Sequence, residues 1–208
     1  MLDILYLINP WWENKPSKIG IKREKYLELI RECLPRNQAV LLVGSRRVGK
    51  TTLLYQSVNT LLKEKGVPPT NILYILLDHP KFAGVSISEI VEKFRQEHGL
   101  PRSEKIYVFC DEVQYGKNWE QEVKAMYDTE NIKFFLSGSA STLITQKTGF
   151  LSGRFVKIKV EPLDFSEFLL FRDNTVGKGE SYLYKKLFLD YLNTGGYPEY
   201  VLSPSPQY

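Results

Sequence analysis

Residues 38–66 read QAVLLVGSRRVGKTTLLYQSVNTLLKEKG. The first six, QAVLLV, form a continuous apolar run of the kind a strand buried on both faces requires. From TTLLYQSV onward the apolar residues recur at helical spacing, and Gly66 stops the helix. Between strand and helix lies GSRRVGKT, residues 44–51, with the spacing G-x-x-x-x-G-K-[ST]. A strand before that spacing and a helix after it are the context that makes it a phosphate-binding loop. Gly44 and Gly49 let the backbone turn its N–H groups toward phosphate oxygens. The helix that begins near Lys50 adds its positive end. Lys50 can reach the β- and γ-phosphates, and the Thr51 hydroxyl is a natural magnesium ligand. The nucleotide-contacting set is Gly44, Ser45, Arg46, Arg47, Val48, Gly49, Lys50, Thr51 and Thr52.

A second half of such a site is an apolar strand that ends in a carboxylate. IYVFCDE at 106–112 supplies it. Asp111 is the expected magnesium ligand, acting through water. Glu112 is the expected base or positioner for the attacking water. The next buried run ends in FFLSGSAS, where a polar side chain would lie beside the phosphate loop. Ser139 is the first choice for a γ-phosphate sensor and Ser137 the second, although Ser139 or Ser141 could equally cap a following helix. Arg154, in LSGRF, suits either charge neutralisation on a transferring phosphoryl group, of its own site or of a neighbouring subunit's, or a surface ion pair. Asp78 ends another strand on the same side. His79 and His98 show no metal-ligand spacing and read as surface residues.

The rest of the chain fits around this centre. KREKYLELIRECL at 22–34 is an amphipathic helix ended by Pro35. ILYILL at 72–77, KIYVFC at 105–110, IKFFLS at 132–137 and FVKIKV at 155–160 read as strands, the last alternating as an edge strand does. Helices are expected at 86–98, capped by Ser86 or Ser88, and at 118–128. Strand alternating with helix over 38–160 gives a parallel sheet covered on both faces. After Pro162 the pattern turns helical and aromatic (DFSEFLLFR, SYLYKKLFLDYLN), and SPSPQY reads as a frayed tail. Residues 1–162 are expected to form the core, and 163–208 a helical lid or the start of a second domain.

The bulk composition is ordinary: 208 residues, 43% hydrophobic, 25% charged. The net charge of +4 permits DNA contact without arguing for it. The basic excess lies in residues 1–156, with 22 Lys and Arg against 17 Asp and Glu, where phosphate ligands already account for part of it. Two distant cysteines, Cys33 and Cys110, point to a reducing, cytoplasmic setting. Cys110 reads as a small core residue. The opening MLDILYLINPWWENK is too short and too interrupted for a signal peptide or membrane span.

Taken in order, IKREKYLELI, VLLVGSRRVGKTTLL, ILYILLDHP, IYVFCDEVQ, FFLSGSAS, LSGR, VEPLDFSEFL and GGYPEY resemble the prokaryotic AAA-type ATPases abundant in archaea and also found in bacteria. NPWW at 9–12 is similar to the opening of some archaeal members. The resemblance covers nearly the whole chain. It implies a P-loop NTPase of the additional-strand, catalytic-glutamate type, with sheet order 5-1-4-3-2. It also implies ATP or ADP with magnesium as ligands, Lys50, Thr51, Asp111 and Glu112 filling the roles above. Such proteins usually continue into a winged-helix or nuclease-like domain, which is expected to be missing or reduced here. The expected partners are a protein or a second copy of the chain. A hydrolysing ATPase and a slow-turnover nucleotide switch both fit; a small-molecule kinase is disfavoured by Glu112 directly after Asp111 and by the extra strand at 72–77.

Overall fold

The computed structural model describes residues 1–17, 19–139, 153–173 and 181–203. Five strands form one sheet: β1 (Ala39–Gly44), β2 (Ile72–Leu76), β3 (Ile106–Asp111), β4 (Ile132–Ser139) and β5 (Phe155–Lys159). Their order is β2-β3-β4-β1-β5, and every pairing is parallel. This is the expected order read from the other edge. Parallel neighbours need crossovers, and helices supply them. α3 (Lys50–Lys63) joins β1 to β2, α4 (Ile87–His98) joins β2 to β3, and α5 (Trp119–Thr129) joins β3 to β4. Ser86 caps α4, its hydroxyl accepting from the Glu89 N–H at 3.0 Å. Ser141 and the tail beyond Ser203 lie outside the described residues.

Successive side chains of a strand point to opposite faces, so each buried run feeds two cores. Leu41, Val43, Leu73, Ile75, Val108, Cys110, Phe134 and Leu136 pack under α4 and α5. Val40, Leu42, Tyr74, Phe109, Phe135 and Ile158 pack under α2 (Glu24–Cys33) and α3. Among the described residues, no helix is long and apolar enough to cross a membrane.

An N-terminal helix, α1 (Leu2–Ile8), was not expected. Its seven residues are too few for a clear period, and no side chain caps it. It is held by tertiary contacts: Leu5 is fully buried, and the following NPWW lies against β2. Asn9 pairs with both backbone groups of Tyr74, accepting from its N–H at 2.6 Å and donating to its carbonyl at 2.9 Å. Trp11 and Trp12 each donate an indole N–H to the Ile72 carbonyl, at 3.2 and 2.8 Å. His98 is also not the surface residue its sequence suggested. It is half-buried, edge-on to Trp12 and Phe94 with ring centroids 4.7 and 5.0 Å away, and burial lowers its pKa.

Past β5 come α6 (Phe165–Phe171), α7 (Ser181–Thr194) and α8 (Pro198–Leu202). They share a smaller core of Leu163, Phe168, Phe171 and Val201. Asp164 and Glu167 form a capping box at the start of α6, a D-x-x-E spacing that was legible in the sequence.

Candidate functional site

Because all five strands run the same way, their carboxyl ends meet at one end of the sheet, where open α/β sheets bind ligands. The phosphate loop leaves β1 there. Gly44 has no substitute: a Cβ would lie 2.3 Å from the Val160 carbonyl, which itself follows β5. Gly49 sits at φ +98° as the residue before α3, a conformation that L side chains rarely adopt. The N–H groups of the first helical turn therefore face the loop. Lys50 is buried, and its ammonium donates to the Gly44 and Ser45 carbonyls at 3.1 and 2.9 Å. Burial lowers its pKa, while Glu112 and Asp111 oppose that shift. Arg46 and Arg47 are exposed at the loop's rim. Val48 is buried, and Thr52 is half-buried beside Gly20.

Asp111, the last residue of β3, is fully buried. Its Oδ2 accepts from the Thr51 hydroxyl at 2.6 Å and from the Tyr74 hydroxyl at 2.7 Å. Its Oδ1 accepts from the Ser137 hydroxyl. Burial, with the Asp111 charge beside it, pushes the Tyr74 phenol well up, so it stays a donor. A hydroxyl that donates its proton keeps its lone pairs, so Thr51 can bond Asp111 and still offer oxygen to a metal. These are hard oxygen donors, few in number, which suits magnesium completed by phosphate and water. Among the described residues, no group of three or more His, Cys, Asp or Glu could hold a metal by itself.

Glu112 follows in left-handed backbone, φ 55°. Its N–H donates to Ser137 Oγ at 3.1 Å, and its carboxylate accepts from the Gln114 amide. Ser137 thus ties the two acids together. Ser139 lies beside Gly44 in the β1–β4 register, where the sensor position was expected.

Arg154 is placed elsewhere. It precedes β5, and its carbonyl accepts from the Ala39 N–H, at the start of β1. In a parallel sheet the start of a strand lies at the opposite end from the loop, about 17 Å away for five residues of strand. Its guanidinium pairs with Asp128 on α5 at 3.1 Å, and both side chains are more than a third exposed. Arg154 is thus turned away from the site of its own chain and forms a surface ion pair with Asp128; its reading at the site of a neighbouring copy stays a proposal. Asp78 is exposed past the end of β2.

Sequence reading missed three contacts. Arg23 holds the loop from behind, donating to the Val48 carbonyl at 2.9 Å and to the Glu161 carbonyl at 3.0 Å. Tyr74 looked like one more apolar residue. The GGYPEY turn reaches the loop itself: the Tyr197 hydroxyl meets Ser45 Oγ at 3.3 Å, and Glu199 pairs with Arg47 at 3.5 Å. Pairings of such sequence separation leave no local signal.

The AAA domain family matches residues 36–169, from the turn before β1 into α6. The chain belongs to this family. Among curated relatives of this AAA domain, an uncharacterized Haemophilus influenzae protein is 32% identical over 191 residues, covering 91% of this chain and 47% of its own length. An uncharacterized Methanocaldococcus jannaschii protein is 30% identical, covering 90% of this chain and 40% of itself. The chain thus spans less than half the length of these relatives. Among solved structures, AMPPCP-bound DnaA from Aquifex aeolicus superposes with TM-score 0.56 at 16% identity, covering 91% of this chain and 61% of that one. Saccharomyces cerevisiae Hsp104 in complex with casein gives 0.56 at 16% identity, with 95% and 38% coverage. Aeropyrum pernix ORC1 in complex with DNA gives 0.54 at 15%, with 74% and 49% coverage. At these identities the likeness is one of fold, the P-loop NTPase fold of AAA type.

Proposed function

We propose that this AAA domain, of the prokaryotic, archaeal-type branch of the family, binds ATP with magnesium and hydrolyses it to drive or switch a partner, a protein, a second copy of the chain or a nucleic acid. The observation that carries the reading is the meeting of Thr51, Asp111 and Glu112 at the mouth of the loop, beside the buried Lys50. Lys50 exchanges its loop carbonyls for the β- and γ-phosphates. Thr51 and Asp111 hold magnesium, which when bound neutralises charge on the terminal phosphates. Glu112, steadied by Gln114, accepts a proton from the water that attacks the γ-phosphorus, and the bond from that phosphorus to the β-bridging oxygen breaks. Ser139 is the sensor beside the loop. Residues 163–208 act as a lid, a reading supported by Tyr197 and Glu199 on the loop. Free, buried Cys33 and Cys110 support a reducing, cytoplasmic setting.

Calorimetry with ATP and magnesium, followed by phosphate-release assays with and without single- and double-stranded DNA, tests the reading. Magnesium-dependent binding followed by turnover is expected. Absence of ATP binding at millimolar nucleotide would overturn it, and stimulation by DNA would identify nucleic acid as the partner.

A further inference from the structure

Tyr74 lies on β2, two register rows before the end of the site: it pairs with Phe109, whereas Leu76 pairs with Asp111. Its side chain shares a sheet face with Asp111, and two rows are about 6.6 Å, a span that a phenol can bridge. The bond is made: the hydroxyl donates to Asp111 Oδ2 at 2.7 Å. Tyr74 is 1% exposed, so the hydroxyl has left water to make this contact. Three further contacts fix the ring and its strand. Tyr55 of α3 stacks on it, centroids 4.6 Å apart, and Asn9 holds both backbone groups of Tyr74. Tyr55 is one helical turn from Thr51 on the same face of α3, so one helix both covers the phenol and delivers the hydroxyl ligand.

A carboxylate offers about four lone-pair directions, two on each oxygen. Thr51 and Tyr74 occupy both directions of Oδ2, and Ser137 occupies one of Oδ1. The remaining direction belongs to Oδ1. We propose, resting on the magnesium–nucleotide reading above, that Tyr74 is a positioning residue for the metal site. By filling the second direction of Oδ2 it stops Asp111 from pivoting and leaves a single oxygen to face the metal or its bound water. Partners of this kind behind a metal ligand are worth about 10- to 100-fold in metal affinity.

The test is Tyr74→Phe, which removes one oxygen and keeps the ring and its stack. A mant-labelled, non-hydrolysable ATP analogue is titrated into both proteins, once with millimolar magnesium and once with EDTA. Magnesium should tighten binding to the wild type, and that tightening should fall about 10-fold in the variant, with EDTA affinities within about twofold of each other. Equal tightening in both proteins overturns the proposal. So does an equal loss with and without magnesium, or loss of a cooperative melt, because each would make the hydroxyl a general element of the fold. If the wild type shows no magnesium-dependent binding, the nucleotide reading itself has failed, a result distinct from these.

Discussion

Arg23 grips Glu167 through two nitrogens, Nε and Nη2, each 2.7 Å from a carboxylate oxygen, across 144 residues of chain. The two side chains are 3% and 10% exposed. The fork of a guanidinium matches a carboxylate, and its remaining nitrogen is free to bind elsewhere. Here it reaches the Val48 carbonyl, so one side chain joins the phosphate loop to α6. Arg23→Ala should destabilise the protein by up to about 3–5 kcal/mol, because it leaves the buried Glu167 with only the exposed Lys25 as its ionic partner. Arg23→Lys should recover little, since an ammonium cannot form the fork. Denaturant unfolding of the three proteins checks both statements.

The same pair sets an acid limit. Burial alone pushes the Glu167 carboxyl up, but hydrogen bonds from Arg23 and Lys25 outweigh it and hold it below the ordinary glutamate range. A depressed carboxyl contributes stability that is complete above its unfolded value of about 4.3 and is lost as pH falls through its folded value. The melting temperature should therefore drop steeply below about pH 4. Glu167→Gln should melt lower at neutral pH and lose less on acidification over that window.

Lys50→Ala should weaken ATP binding on the order of 100-fold or more, since charge-assisted bonds to two phosphates disappear. Calorimetry with magnesium measures it. Unchanged affinity would remove Lys50 from the site.

Glu112→Gln should leave ATP binding intact and slow phosphate release on the order of 10²–10⁴-fold, the usual loss for a positioned base. The Gln114 amide, which now donates to this side chain, can still bond the new carboxamide oxygen, so the backbone turn should persist. A variant that keeps more than about a tenth of the wild-type rate would move the base elsewhere.

Lys133 lies at the far end of β4, its ammonium donating to the carbonyls of Cys33 and Arg36 at 2.7 Å and also to that of Gln38. It ties together the turn that launches β1. Lys133→Met fits the space but leaves three acceptors short of a donor, a loss of about 3 kcal/mol. Urea unfolding should show it, with nucleotide affinity unchanged because the loop lies at the opposite end.

Much of this architecture was legible because parallel strands bury both faces. QAVLLV, ILYILL and IYVFC read as strands for that reason, and Gly44, Gly49, Lys50, Thr51, Asp111 and Glu112 sit at fixed distances from strand ends. Of the readings of Arg154, a place in its own chain's site came from following the chain rather than the sheet. A residue that begins a parallel strand lies opposite the ends where ligands bind, and that inference was available from the sequence. Tyr74 was not legible. Its hydroxyl matters only because β2 and β3 are neighbours in a given register, and nothing within ILYILL distinguishes it from core. Arg23 and Glu167 likewise became partners only once α2 and α6 were packed.

The amide of Asn9 has a further meaning for how molecules of this protein can associate. Outer strands of a sheet invite a strand from another molecule, which leads to open-ended stacking. On one side that invitation is withdrawn at Tyr74, whose N–H and C=O are already taken by a side chain that imitates a neighbouring backbone. On the other, Lys157 and Lys159 stand exposed along β5, and a strand carrying its own lysines would be repelled. Among the described residues, one edge of the sheet is thus closed to an added strand at Tyr74 and the other carries charge.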